Sequence, residues 1–330
     1  MNRGRYIRLG TRGSALALWQ ANTTANLLAA AGYEPDIVIV KTTGDKRTDV
    51  SLASIGGKGL FIKELEEALE RGTIDVAVHS LKDVPSIIPE QFELAGFLER
   101  ADPRDVWAQP DHKPIAQLPA GSLVGTSSPR RRAQVIEHFP HLRVEEIRGN
   151  VDSRLLKARE GLYAGVILAA AGLTRLGRAG EITSYFGVDE MVPAAGQGIV
   201  AIECLSENAW ASEAAASITH APSALAARCE REVLQKFGER LDCYSAIAVH
   251  ASVARRHTER SEGTPWRDGA ADEVLRSAQD DEVDIRAFAS DLEGTRTVRA
   301  RRTGRNCDAV VGAVYDDLVA QGAMELVCRK

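Results

Sequence analysis

Asp75-Val76-Ala77-Val78-His79-Ser80-Leu81-Lys82-Asp83-Val84-Pro85 is a short apolar run that passes without a break into a polar, proline-stopped loop. Read as a buried strand that carries a carboxylate and a lysine to a sheet edge, it decides the fold class, because open α/β sheets place their chemistry at the carboxyl ends of strands. The flanking sequence agrees. From Leu60, Phe61, Ile62, Leu65, Ala68 and Leu69 share one helical face, Lys63, Glu64, Glu66, Glu67 and Glu70 cover the other, and Gly72 stops the helix. Further upstream, Tyr6 to Gly10 is a strand, Thr11-Arg12-Gly13-Ser14 turns the chain into an Ala/Leu-rich helix ending near Gly32, and Asp36 to Val40 is a second strand. Nearly continuous apolar strands alternating with helices predict an α/β architecture with a parallel sheet covered on both faces.

Two loops of this first unit draw attention. Arg12 and Ser14 stand at a helix start, where free backbone N–H groups attract anions. They form either a carboxylate or phosphate site, or a plain Ser14 cap beside a surface arginine. Lys41 to Gly59 is long for a connection, as lids are. Its Gly56-Gly57-Lys58-Gly59 is not a P-loop, since glycine follows the lysine and the upstream glycine spacing is wrong.

Beyond Pro85 and Pro89, the charged run Glu99 to Asp105 reads as a crossing between domains. A second αβ unit begins after Pro119. Its strand Leu123 to Thr126 leads through Ser127 to a helix with Ser128 as N-cap and Pro129 at the first position, followed by Arg130, Arg131 and Arg132. Cations at a helix N-terminus oppose its dipole, and such conflicts concentrate at functional sites. Either an anionic ligand resolves this one or the turn is simply solvated. Val144 to Ile147 ends in Arg148-Gly149-Asn150 with Arg154 a turn later, and Val166 to Ala169 ends in a segment reaching Arg175. Three strand ends on one edge thus carry arginine, the side chain best suited to grip carboxylates, and together they predict a polyanionic ligand. Val192 to Gly198 is a second crossing, and Ile199 to Glu203 a strand returning to the first sheet. A helix from Pro222 to Phe237, strands at Ile247–Val253, Ile285–Ala289 and Thr297–Arg301, and a helix from about Asp308 to Gln321 make a small α+β domain. The densely charged stretch Arg255 to Glu282 reads as an insert without an assigned function.

With 330 residues and 44% hydrophobic content, the chain has room for two or three domains with real cores. A net charge of −5 and 5% aromatic residues argue against a nucleic-acid binder. The N-terminus has no apolar run behind its charges and no stretch is long enough to span a membrane, so a cytoplasmic protein is expected. The five cysteines (Cys204, Cys229, Cys243, Cys307, Cys328) are scattered, with no C-x-x-C pair, and suggest neither a disulfide framework nor a zinc site. Cys204 is expected to be a small buried residue. Cys243 is the one cysteine expected in an exposed turn, either an accessible thiol with a function or an ordinary loop residue.

Gly10-Thr11-Arg12-Gly13-Ser14-Ala15-Leu16-Ala17, Gly56-Gly57-Lys58-Gly59-Leu60-Phe61, His79-Ser80-Leu81-Lys82-Asp83-Val84-Pro85, Gly125-Thr126-Ser127-Ser128, Arg148-Gly149-Asn150 and Pro193-Ala194-Ala195-Gly196-Gln197-Gly198 occur here in that order. With them, the chain resembles the porphobilinogen deaminase (hydroxymethylbilane synthase) family from about Ile7 to Val253, and more weakly from Asp284 onward. The resemblance implies two lobes like those of periplasmic binding proteins and a third, smaller α+β domain. On this sequence they fall at residues 1–100 with 198–217, 101–197, and 218–330, the last holding the insert at about 254–283. It also implies a transferase that joins porphobilinogen units head to tail with loss of ammonia, on a dipyrromethane primer held by a thioether to Cys243, and that releases a linear tetrapyrrole. Asp83 is then the acid–base residue. Lys82, Ser80, Thr126, Ser128, Arg130, Arg131 and Gly149 become cofactor contacts, and Arg12, Ser14, Arg148, Arg154 and Arg175 substrate contacts. A monomer without metal, nucleic-acid or membrane partner is expected. Where the family usually carries two glycines before its cofactor cysteine, this chain has Leu241-Asp242. The competing reading is a non-enzymatic two-lobed anion-binding protein, which needs neither Asp83 nor Cys243.

Overall fold

The computed structural model describes residues 5–41, 62–238, 241, 245–254 and 281–327. Cys243, nearly all of the loop after Lys41 and nearly all of the charged insert lie outside the described residues. The first lobe is built from β1 (Tyr6–Thr11), α1 (Ala15–Ala30), β2 (Glu34–Ile39), α2 (Lys63–Glu70), β3 (Val76–Ser80) and β4 (Phe92–Phe97). The second holds β5 (Asp105–Ala108), β6 (Leu123–Gly125), α3 (Pro129–His138), β7 (Arg143–Glu145), α4 (Val151–Arg159), β8 (Gly165–Ala169), α5 (Ala170–Arg175) and β9 (Ser184–Tyr185). The chain returns to the first lobe as β10 (Val200–Leu205) and α6 (Ala209–Ser217). It ends in a third unit of α7 (Ala221–Lys236), β11 (Ala246–Ala254), β12 (Glu282–Ser290), β13 (Thr297–Gly304), α8 (Cys307–Ala320) and α9 (Ala323–Val327).

The sheet orders are β2-β1-β3-β10-β4, β7-β6-β8-β5-β9 and β11-β12-β13. The two lobe sheets are mixed, which corrects the expectation of an all-parallel sheet. β10 runs antiparallel to β3 and β4, and β5 runs antiparallel to β8 and β9. The reason is topological. β5 and β10 are the strands that the chain enters straight from a crossing between lobes, so each starts at the edge where its neighbours end. The remaining contacts that link β1, β2 and β3, and β6, β7 and β8, are parallel as expected.

Apolar alternation explains the layers. Ile7 and Leu9 of β1 and Val76 and Val78 of β3 pack with Leu28 of α1 and Ala214 of α6, while Leu65 and Leu69 of α2 cover the other sheet face with Ile74 and Ala77. In the second lobe Trp107 belongs to one face and Val106 to the other. In the third unit, Val233 of α7, Phe237 just after it, and Val311, Val314 and Leu318 of α8 close over Val249 and Ile285 of the sheet.

The two crossings run side by side, with Ala101 N–H donating to the Gly198 carbonyl at 3.1 Å. Gly198 has φ +88, and a Cβ there would lie 2.6 Å from the Ala101 oxygen, so both the backbone conformation and the close approach require glycine. The third unit clamps this hinge through one buried carboxylate. Glu230 of α7 accepts from Arg100 Nη1 at 2.6 Å in the outgoing crossing, from Gly196 N–H at 2.6 Å in the returning one, and from Ala251 N–H at 2.7 Å in β11.

The cysteine expectation needs a correction. Cys229 of α7 and Cys307 at the start of α8 form a disulfide, with Cα atoms 6.3 Å apart. Their separation of 78 residues hides the pairing, which only the packing of α7 on α8 creates. Cys204 is buried, as expected, and burial pushes its thiol pKa far up.

Candidate active site

Strand β3 delivers the central turn. After Ser80 a single 3-10 turn, Leu81–Asp83, forms around the buried Leu81, whose N–H donates to the Ile199 carbonyl at 3.1 Å. Leu81 points inward, and the exposed Lys82 and Asp83 project from the turn into the cleft. Gln20 of α1 donates to Ser80 Oγ at 2.7 Å, tying the turn to the first helix. Ser14 caps α1, its Oγ accepting from Ala17 N–H at 3.3 Å. The same Ser14 lines a cavity with Arg12, Gln20, His79, Ser80 and Asp83, so capping and facing the site are both true of it. Behind the cavity wall, His79 Nε2 lies 2.9 Å from Oε2 of the fully buried Glu203.

The second lobe faces this turn with cations of two kinds. Arg130 and Arg131 are only 5% and 6% exposed, and both bind Asp105, which is 0% exposed. Arg130 reaches its carboxylate at 2.5 and 3.1 Å and Arg131 at 2.9 and 2.7 Å, while Gln197 Nε2 donates to it at 2.9 Å. The protein's own Asp105 therefore answers part of the charge conflict at the start of α3, one carboxylate shared by two guanidinium groups. These two arginines are buried supports and not open cleft surface. Ser128 holds the N-cap position of α3 without a side-chain cap bond, and Thr126 Oγ1 accepts from Ser128 N–H at 3.2 Å, which leaves the Ser128 hydroxyl uncommitted to the helix.

Arg148, Arg154 and Arg175 are the less committed cations. Arg148 reaches Glu146 at 2.5 Å. Gly149 has φ +113, and a Cβ would fall 2.1 Å from Ser153 Oγ, so only glycine makes this turn; its carbonyl accepts from Arg154 Nε at 2.8 Å and aims that guanidinium. Arg175 Nη2 donates to the Gly198 carbonyl at 2.7 Å, and its Cζ lies over the ring of Trp19 of the opposite lobe, 5.1 Å from the ring centre. Its Nε is buried and has no hydrogen-bond partner among the described residues.

Electrostatics joins the lobes. Surrounding protein lowers the Lys82 ammonium to about 8, with Asp83 opposing the shift and Arg131 and Arg130 adding to it. Lys82 still reaches water along the cleft, which moderates that desolvation. Burial also lowers the Arg154 guanidinium, and the charge that opposes this most is Asp83 across the cleft. Arg175 is lowered to about 10 by burial alone. Asp105 is held far below the usual carboxylate range, since its arginine partners outweigh its burial.

The structure thus brings Arg12, Ser14, Ser80, Lys82 and Asp83 from one lobe opposite Arg148, Arg154 and Arg175 from the other, with Thr126, Ser128, Arg130 and Arg131 behind them. Sequence reasoning missed Asp105, Gln197, Gln20 and Trp19. The one local signal for Asp105 is its place at the end of the charged crossing, on the border of an apolar strand.

The family model described as porphobilinogen deaminase, dipyromethane cofactor binding domain, matches residues 7–213. The porphobilinogen deaminase of Trichlorobacter lovleyi is 39% identical over 325 residues, covering 97% of this chain and 95% of its own. The chloroplastic porphobilinogen deaminase of rice is 46% identical over 252 residues, covering 74% of this chain and 70% of its own. A solved periplasmic substrate-binding protein of an ABC transporter from Coxiella burnetii aligns with a TM-score of 0.42 at 14% identity, covering 68% of this chain and 96% of its own. On the match of the family model and of full-length relatives alike, the chain belongs to the porphobilinogen deaminase family.

Proposed function

We propose that this chain polymerises porphobilinogen head to tail with loss of ammonia, on a dipyrromethane primer, and releases hydroxymethylbilane, with Asp83 as the acid–base residue. The observation that carries the residue assignment is the exposed Asp83 in a rigid turn, facing desolvated cations of the other lobe. Membership of an enzyme family sets aside the non-enzymatic anion-binding reading. The donor set fits the primer. A dipyrromethane carries carboxylates, and the cleft offers the exposed Lys82 and the hydroxyl of Ser128, which makes no cap bond to its helix, to receive them. When bound, the group supplies the pyrrole carbon to which each new unit is joined. We assign its thioether to Cys243, and we divide the chain into domains at 1–100 with 198–217, 101–197 and 218–330.

The chain's own residues account for the rest of the cycle. Arg12 and Ser14 at the start of α1, with Arg148, Arg154 and Arg175, hold the acetate and propionate groups of the substrate, a task suited to bidentate guanidinium. Asp83 hydrogen-bonds the cationic nitrogens, passes a proton to the leaving amine, and takes up the ring proton lost after bond formation. A carboxylate also stabilises positive charge developing on the pyrroles, the mirror of an oxyanion hole. Lys82, Ser80, Thr126 and Ser128 contact the primer, as does the backbone at Gly149. Arg130 and Arg131 support that wall through Asp105.

Intact-mass measurement tests the assignment. The purified protein is expected to carry the mass of a dipyrromethane, and Cys243→Ser to lack it. Unmodified mass in active protein would remove Cys243 from this role.

A further inference from the structure

We propose that Trp19 is a positioning residue for Arg175: a latch from the first lobe that holds this second-lobe cation ready for a substrate carboxylate without neutralising it. The inference rests on the reading that Arg175 binds a carboxylate, and it assigns the residue that makes this possible.

Three elements converge on the guanidinium. It ends α5 of the second lobe, its Nη2 is fixed 2.7 Å from the Gly198 carbonyl in the returning crossing, and its Cζ lies over the Trp19 ring of α1, 5.1 Å from the ring centre. Nε is left inside the protein with no acceptor among the described residues. Leaving an N–H without an acceptor is unfavourable, so an oxygen that reaches this guanidinium gains by pairing with it.

The choice of an aromatic partner is what a binding cation needs. Arg130 and Arg131 show the alternative, since both direct their N–H groups to the carboxylate of Asp105. An acidic partner at Arg175 would compete with the ligand for the same N–H groups. An indole face attracts a guanidinium through its quadrupole, yet it accepts no strong hydrogen bond and leaves the net charge intact. The stack also sits in the right place. Leu16 and Gln20, three residues before Trp19 and one after it on α1, line the cavity that holds Ser80 and Asp83. Trp19 is 39% exposed, which a tryptophan serving only the core of the lobe would not be.

Steady-state turnover of porphobilinogen by the cofactor-loaded enzyme tests the latch, using Trp19→Leu, Trp19→Phe, Arg175→Gln and the Trp19→Leu/Arg175→Gln double variant. Trp19→Leu is expected to raise KM by about three- to thirtyfold, the range of a cation–π contact, with kcat within about twofold. Trp19→Phe should recover most of the loss. In the double variant Trp19→Leu should add nothing to Arg175→Gln, because the latch acts only through that arginine. Losses that multiply in the double variant would overturn the proposal, as would a wild-type KM in Trp19→Leu beside an impaired Arg175→Gln. An unimpaired Arg175→Gln would instead sink the carboxylate reading of Arg175 itself. Trp19→Met gives the same comparison if the leucine variant does not accumulate.

Discussion

Asp105 and Asp83 are aspartates on opposite lobes of one cleft, each surrounded by cations, and their settings differ in every respect that matters for a proton. Asp105 is completely buried and accepts hydrogen bonds from Arg130, Arg131 and Gln197. Its negative charge is permanent near neutral pH, because releasing it would strand two guanidinium groups inside the protein. Asp83 is exposed on a 3-10 turn, and no hydrogen bond to its carboxylate occurs among the described residues. Lys82 and Arg154 act on it through space only. A carboxylate saturated by protein donors organises structure, whereas one left open to a ligand can exchange a proton with it.

The comparison breaks most visibly at Asp83. Asp83→Ala should lower turnover of porphobilinogen by about 10²- to 10⁴-fold, the usual contribution of a general acid–base residue. Its melting temperature should stay close to that of the wild type, since an exposed side chain without protein hydrogen bonds is removed. Near-normal turnover would take the acid–base role away from Asp83. Asp105→Ala should do the reverse, costing about 3–5 kcal/mol of stability in urea unfolding because one partner of a buried ionic cluster is lost. The pH sign follows from the depressed carboxyl. Asp105 contributes stability above the unfolded aspartate pKa of about 3.9 and loses it as pH falls toward the lower folded value. The acid limb of the stability curve should therefore flatten in Asp105→Asn. An unchanged acid limb would show that the cluster does not hold the fold together.

The same contrast marks what could be read from the sequence. Asp83, the Ser14 cap with Arg12, and Arg148-Gly149-Asn150 were legible because their chemistry is local: a strand end, a helix start, a glycine turn whose Cβ would strike Ser153. The partners of Asp105 lie 25 and 92 residues away at Arg130 and Gln197, and no spacing rule links them. Trp19 meets Arg175 only because the lobes close on each other. The reversed strands β5 and β10 carry the same apolar signal as their parallel neighbours, so direction was hidden although strand character was not. The Cys229–Cys307 bond likewise depends on helix packing and not on cysteine spacing.

The smallest expected effect concerns Lys82, which lies beside Asp83 and is influenced by Asp105 as well. Desolvation by the protein packed around this surface side chain lowers its ammonium to about 8, against about 10.4 in an unfolded chain. Between these values the unfolded chain holds the proton and the folded protein does not, so the contribution to stability rises with pH across that window. Binding changes in the opposite direction. Lys82 holds the primer's carboxylates only in its charged form, and a loosened primer is a poorer acceptor, so the apparent KM for porphobilinogen should rise by a few-fold, roughly two to five, as pH passes from about 7.5 to about 9. Lys82→Arg keeps its charge throughout this range and should remove that rise, even if its altered geometry sets a different KM. A rise of equal size in both proteins would assign the titration to another group, and would leave Asp83 as the one proton-exchanging side chain of this turn.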